Sequence, residues 1–232
     1  MPDAKVTKPL HIVLSINEGD FGNGCRSNDK TDTNSAPYLS WGEIVDAFMQ
    51  KGTKFLTMSI LSDDSPQPRK AIQHKMDLLI KSIEMEIGMQ DKFIIETPTL
   101  NLEEEPNRST IEISMRNTTI EENSSLSLNI ILFDDGKTEI MNTIKKFVQN
   151  RTPKSSITEE FFRASLPYKD LPNPDMIVTV GSIISLNNPF LWQSAYSELH
   201  SISTKWNQIV RGEINNIFET FRGRKRRFGG LH

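Results

Sequence analysis

Short apolar runs that alternate with stretches of helical periodicity constrain this chain more than any other feature. Residues 11–16 (HIVLSI), 54–61 (KFLTMSIL), 93–96, 127–133 (SLNIILF) and 176–180 read as strands bounded by turn-rich sequence. Between the first two, Trp41, Ile44, Val45, Phe48 and Met49 recur at helical spacing over 38–51, and Gly52 follows where a left-handed C-cap is wanted. Over 69–87, Ile72, Met76, Leu79, Ile80, Ile83 and Ile87 share one face, closed by Gly88. Residues 138–149 form a helix with Ile140, Ile144, Phe147 and Val148 inward, and a last helix spans about 204–221. Ser109 to Glu112 fits a capping box, although Ile111, Ile113 and Met115 alternate as in a strand; a helix is expected there. Strands separated by helices predict parallel βαβ units with right-handed crossovers, hence an open, doubly wound α/β sheet.

With 232 residues and 36% apolar content, the chain can bury one substantial core, so a single domain over 1–232 is expected. The net charge of −3, with both signs interspersed, gives no global pull toward nucleic acid or an anionic membrane. Any basic function must be local. No apolar run approaches the roughly 20 residues that span a bilayer, and MPDAKVTKP lacks a hydrophobic signal core, so a cytoplasmic location is expected. Cys25 has no second cysteine for a disulfide or a thiolate metal site and reads as an incidental loop residue. The sequons at Asn107, Asn117, Asn123 and Asn150 carry little weight without a secretory signal.

In open α/β sheets, ligands sit beyond the carboxyl ends of the strands. Those positions are Asn17 to Asp20, Ser62 to Ser65, Asp134 to Gly136 and Gly181 to Ser185. The first opens a polar stretch too long for a simple connection, which makes it a site candidate on length alone. Asp63-Asp64 and Asp134-Asp135 invite a metal site, but turn and helix N-cap roles are favoured. The basic cluster Arg222, Arg224, Lys225, Arg226 and Arg227 reads as a phosphate or dimer element, a solvated tail, or a peripheral membrane contact. Trp192, Trp206 and the apolar stripe from Ile209 to Phe221 read as core or dimer interface. His11 reads as structural, and His74 and His200 lack ligand spacing.

The run LWQSAYSEL from Leu191 to Leu199 resembles the C-terminal signature of the undecaprenyl diphosphate synthase (cis-prenyltransferase) family. HIVLSI, KGTKFLTMSILS, SLNIILFDDGKTEI and RRFGG (Arg226 to Gly230) follow the same order of landmarks, and the likeness is weakest between about 98 and 124. The resemblance implies a sheet of about six mainly parallel strands ringed by helices, a hydrophobic tunnel for a growing isoprenoid chain, dimerisation, and magnesium. It also implies condensation of isopentenyl diphosphate with an allylic diphosphate.

A diphosphate is held by arginines, backbone N–H groups and a carboxylate-bound cation. After the first strand the family has Asp-Gly-Asn-Gly-Arg-Trp, whereas this chain has Asn17-Glu18-Gly19-Asp20-Phe21-Gly22, and a neutral amide is a poorer metal ligand than a carboxylate. Glu18 or Asp20 would substitute after a small register shift, and Arg26 lies in the same loop. Arg69 stands near the family's Arg-Pro position. Where the family clamps isopentenyl diphosphate with Arg-Thr-Ser-Gly-Glu and then a second Arg and a Ser, this chain has Thr179-Val180-Gly181-Ser182-Ile183, then Ser185 and Asn187. Each charge-assisted contact is worth about 1.5–3 kcal/mol, so losing two costs roughly a hundredfold or more in affinity. Glu198 matches the family's second acidic metal contact, which makes it with Asp20 the implied metal pair. Arg227-Phe228-Gly229 has the form of the Arg-x-Gly that one subunit offers to its partner's substrate. Two functions follow from this pattern: a weakened subunit that supports an active cis-prenyltransferase, as homodimer or heterodimer, or an enzyme of altered chemistry that performs head-to-middle condensation, cyclisation or transfer to another acceptor.

Overall fold

The computed structural model describes residues 8–21, 38–61, 74, 77, 78, 81, 85, 93–95, 99–103, 108–117, 125–132, 136–182 and 188–224. The strands are β1 (His11–Asn17), β2 (Phe55–Leu61), β3 (Phe93–Ile95), β4 (Thr99–Glu103), β5 (Arg108–Asn117), β6 (Ser125–Leu132), β7 (Met176–Val180) and β8 (Glu198–Ile202). The helices with described bounds are α1 (Glu18–Phe21), α2 (Trp41–Gln50), α3 (Gly136–Gln149), α4 (Glu159–Ser165) and α5 (Arg211–Gly223). They build one open eight-stranded sheet in the order β3-β5-β6-β2-β1-β7-β8, with β4 also paired to β5. The five strands β6-β2-β1-β7-β8 are parallel, and β3, β4 and β5 are antiparallel additions at the β6 edge. The parallel part therefore has five strands where about six were expected.

Side chains on β1 alternate between two unlike faces, as the period of a strand requires. Ile12, Leu14 and Ile16 join Leu56, Met58, Leu128, Ile130 and Val178 in the main core, under α2 and α5. Phe48 of α2 meets Phe218 of α5 at 5.8 Å, and Trp41 of α2 meets Trp206, just before α5, at 4.9 Å. Ser40 starts α2 with a capping box: its hydroxyl accepts from the Glu43 N–H, and the Glu43 carboxylate accepts from the Ser40 N–H. Gly52 ends the helix turn at φ +89, the left-handed conformation expected from the sequence. The opposite face carries Val13, Ile131 and Ile177 under Phe190, together with the buried polar residues His11, Ser15, Thr57, Ser59 and Thr179.

Three expectations are corrected. The segment 108–117 is a strand, because pairing with β6 from Ser109↔Leu132 to Arg116↔Ser125 satisfies its backbone throughout, which a capping-box signal cannot outweigh. In α3 the buried row is Gly136, Glu139 and Thr143, while Ile144 and Val148, expected inward, are 42% and 73% exposed. Gly136 sets this rotation: a Cβ there would lie 2.4 Å from the Asn188 carbonyl oxygen and 2.5 Å from the Leu191 Cβ, so the glycine edge must press against that segment. The last helix begins at Arg211 instead of 204. Residues 206–208 form a 3-10 turn, Val210 is extended, and the Glu213 carboxylate turns back to accept from the Val210 N–H and the Thr204 hydroxyl.

The expected apolar face over 69–87 lies outside the described residues. His74, Asp77, Leu78, Lys81 and Met85 are helical and exposed, as positions off that face should be. Among the described residues, no helix is long and apolar enough to cross a membrane.

Candidate functional site at the switch point of the sheet

The chain leaves β1 toward β2 and β6 on one side and returns to place β7 and β8 on the other. This reversal opens a crevice at the carboxyl ends of β1 and β7, the place where open α/β sheets bind ligands. β7 ends at Val180, and Gly181 donates its N–H to the Ile202 carbonyl at 2.9 Å, which holds the turn to β8. Gly181 has φ +108, a conformation L side chains rarely adopt. From the other wall, α1 brings Asp20 across the crevice. Its Oδ2 accepts from the Ser182 N–H at 3.1 Å and from the Ser182 hydroxyl at 3.3 Å, and the residue is 8% exposed. A Cβ on Gly181 would stand 2.2 Å from that oxygen, so glycine is required by space as well as by conformation.

The expected site residues separate into three groups. Asn17 ends β1 opposite Leu61, half-buried, and Gly19 is exposed in α1 beside Asp20, so these three share the crevice mouth. Glu18 lies in α1, with its side chain outside the described residues. Thr179 is interior to β7 between Ser15 and Ser201, and its hydroxyl donates to the His200 carbonyl at 3.4 Å, which leaves it short of the strand end. Arg26, Arg69, Ser185, Asn187, Arg227 and Gly229 lie outside the described residues.

Glu198 stands at the other end of the sheet. It opens β8 opposite Met176, the first residue of β7. Four residues of strand, about 13 Å, separate that level from Val180, and Asp20 sits beyond Val180. Glu198 is instead paired with Arg224 at 2.9 Å, where α5 ends. Burial, and then the Arg224 charge, lower the pKa of His200 two residues along. Within one chain the two carboxylates expected to share a magnesium ion stand apart: Asp20 is turned onto Ser182, and Glu198 lies at the far end of the sheet beside Arg224. Among the described residues, no three His, Cys, Asp or Glu side chains are grouped to hold a metal.

Sequence reasoning flagged Gly181 to Ser185 as a strand end but did not single out Ser182, whose two donors hold the only described site carboxylate on this wall of the crevice. The available signal was a glycine directly after a β-branched run. His11, read as structural, is buried against the far end of the polar face. Its Nδ1 lies 2.6 Å from the Pro172 carbonyl, an obligate acceptor, so Nδ1 carries the proton and Nε2 accepts from the Thr57 hydroxyl at 2.9 Å. Burial lowers its pKa to about 4, against smaller raising effects of the Pro172 carbonyl and Asp175.

The fold is an open α/β sheet with a crevice between the ends of β1 and β7. The profile of the undecaprenyl diphosphate synthase family matches residues 25–229, and the chain belongs to that family. The match starts after β1, so Asn17 to Asp20 precede the matched residues. The chain is 28% identical to an isoprenyl transferase of Thermotoga maritima over 187 residues, 79% of this chain and 80% of that protein. It is 27% identical to the Streptococcus mutans isoprenyl transferase over 240 residues, 99% of this chain and 96% of that protein. Its fold is similar to the crystal structure of a "probable undecaprenyl diphosphate synthase" from Campylobacter jejuni, with TM-score 0.54 and 16% identity over 95% of this chain and 99% of that one. It is also similar to lavandulyl diphosphate synthase from Lavandula x intermedia in complex with dimethylallyl diphosphate, with TM-score 0.58 and 15% identity over 97% and 99%.

Proposed function

We propose that this chain is a catalytically weakened cis-prenyltransferase subunit that supports prenyl or polyprenyl diphosphate synthesis by an active partner in the cytoplasm. The observation that carries this reading is the state of the crevice: Asn17 is a neutral amide, and the carboxylate of Asp20 is engaged by Ser182. A site that must hold a diphosphate and its counter-cation has neither an available described carboxylate on this wall nor the paired arginines after β7.

Two further features support a partner. Met141, Ile144 and Val148 on α3, Phe161 on α4 and Trp192 are exposed, and the Phe147–Phe161, Phe147–Phe162 and Phe162–Trp192 ring contacts join α3, α4 and the segment of Trp192. Such a surface is suited to burial against a second subunit. In addition, Arg224, the residue that caps α5, pairs with Glu198, and the Arg227-Phe228-Gly229 sequence that follows it has the form of an Arg-x-Gly offered to a partner's diphosphate.

The test is incorporation of labelled isopentenyl diphosphate into farnesyl diphosphate with magnesium, by the chain alone, by an active family member alone, and by the co-purified pair. The expected result is at most about one hundredth of ordinary turnover for the chain alone, a functional pair, and a loss of about tenfold or more for the pair carrying Arg227→Ala. Ordinary elongation by the isolated chain would overturn the reading. Isolated turnover of allylic diphosphates without elongation would move the assignment to condensation, cyclisation or transfer to another acceptor.

A further inference from the structure

The Asp20 carboxylate occupies two hydrogen-bond donors beside a glycine. It is buried in the crevice at the switch point, and Oδ2 takes both donors of Ser182, the N–H at 3.1 Å and the hydroxyl at 3.3 Å. Gly181 supplies the room, since a Cβ there would meet Oδ2 at 2.2 Å, Cγ at 2.4 Å and Cβ of Asp20 at 2.7 Å. A backbone N–H, a hydroxyl and a glycine at φ +108 make a concavity of the kind that receives phosphate oxygens. Asp20 reaches it from α1, a four-residue turn at the end of β1. A carboxylate costs free energy to bury unless its hydrogen bonds are made, and among the described residues Ser182 makes them.

The geometry points to Asp20 as an internal blocker of an oxyanion subsite at Ser182, which accepts a phosphate or diphosphate oxygen only after α1 carries the carboxylate away. Ligand and carboxylate compete for the same N–H and hydroxyl, and the like charges exclude joint occupancy. The crevice is thus an anion site held shut by the chain's own side chain. This goes beyond the subunit reading without depending on it.

Inorganic pyrophosphate, titrated calorimetrically into the full-length chain without magnesium, tests the inference. Asp20→Ser and Asp20→Asn should each bind at least about tenfold more tightly than wild type, and adding Ser182→Ala should remove most of the gain. Equal affinities in wild type and variants would overturn it, as would a gain that survives Ser182→Ala in full. Asp20→Asn fills nearly the original volume and carries the comparison if Asp20→Ser fails to fold. Hydrogen exchange on the wild-type chain gives a second readout: saturating pyrophosphate should speed exchange across residues 18–21, and bound pyrophosphate with unchanged or slower exchange there would refute the competition. An inactive pair in the elongation assay would leave this comparison intact, and equal pyrophosphate affinities would leave the elongation result intact.

Discussion

His11 and Gly181 show how much single residues decide here. The His11 imidazole is neutral in the fold, with its pKa lowered from 6.5 to about 4 chiefly by burial. The unfolded chain takes up this proton as pH falls below 6.5, while the folded chain resists until about 4. Stability therefore drops across that window and gains nothing from this group above it, with a total effect of about 3 kcal/mol. Unfolding free energies from urea denaturation at pH 4 and 7 should differ by that much less in His11→Gln than in wild type. At Gly181, alanine should destabilise the chain by roughly 1–3 kcal/mol, because a methyl group there meets both a positive φ and the Asp20 carboxylate. Adding Asp20→Gly should recover only the steric part, so a double-mutant cycle by urea denaturation should give a nonzero coupling energy.

At the scale of elements, those read correctly are those where local chemistry and tertiary demand agree. The Ser40 capping box, the apolar stripe of α2 and Gly52 all point to one helix, and Ser40→Ala should cost about 1 kcal/mol in urea denaturation. β7, flanked by proline-rich and glycine turns, was legible to the residue. β5 was misread because its capping-box residues look local, whereas its partner β6 is chosen by the sheet. The rotation of α3 was hidden because four apolar residues outvoted Gly136 on paper, yet the close approach of Asn188 and Leu191 needs the glycine edge. The apolar residues left outside yield a prediction. Val148→Glu should leave monomer stability within about 0.5 kcal/mol and yet weaken subunit association in sedimentation velocity.

The fold of the whole molecule was largely written in its alternating strands and helices, and in the order of landmarks that carried the family resemblance. The site was only half legible. Spacing identifies the strand ends, but whether a carboxylate faces a metal or a backbone amide depends on how α1 turns, and no periodicity encodes that. Likewise, nothing in the separation of Asp20 from Glu198 along the chain reveals that they fall at opposite ends of the sheet. Because the described donors of one chain are not grouped for a cation, millimolar magnesium alone should shift the melting temperature of the isolated chain by less than about 1 °C. Differential scanning calorimetry with and without chelator checks this, and a larger shift would demand a metal site within one subunit.

The hydrogen bonds between Asp20 and Ser182 join residues 162 apart in sequence. Loops that long close late, whereas β4, β5 and β6 are antiparallel neighbours joined by short connections and can pair early. During synthesis the β4–β6 meander can form while β7 is still unmade, but the crevice has only one wall until Gly181 and Ser182 emerge. The ligand end of the molecule is therefore completed later than the β4–β6 meander, and a chain interrupted before β7 would retain a partial sheet with no anion site at all.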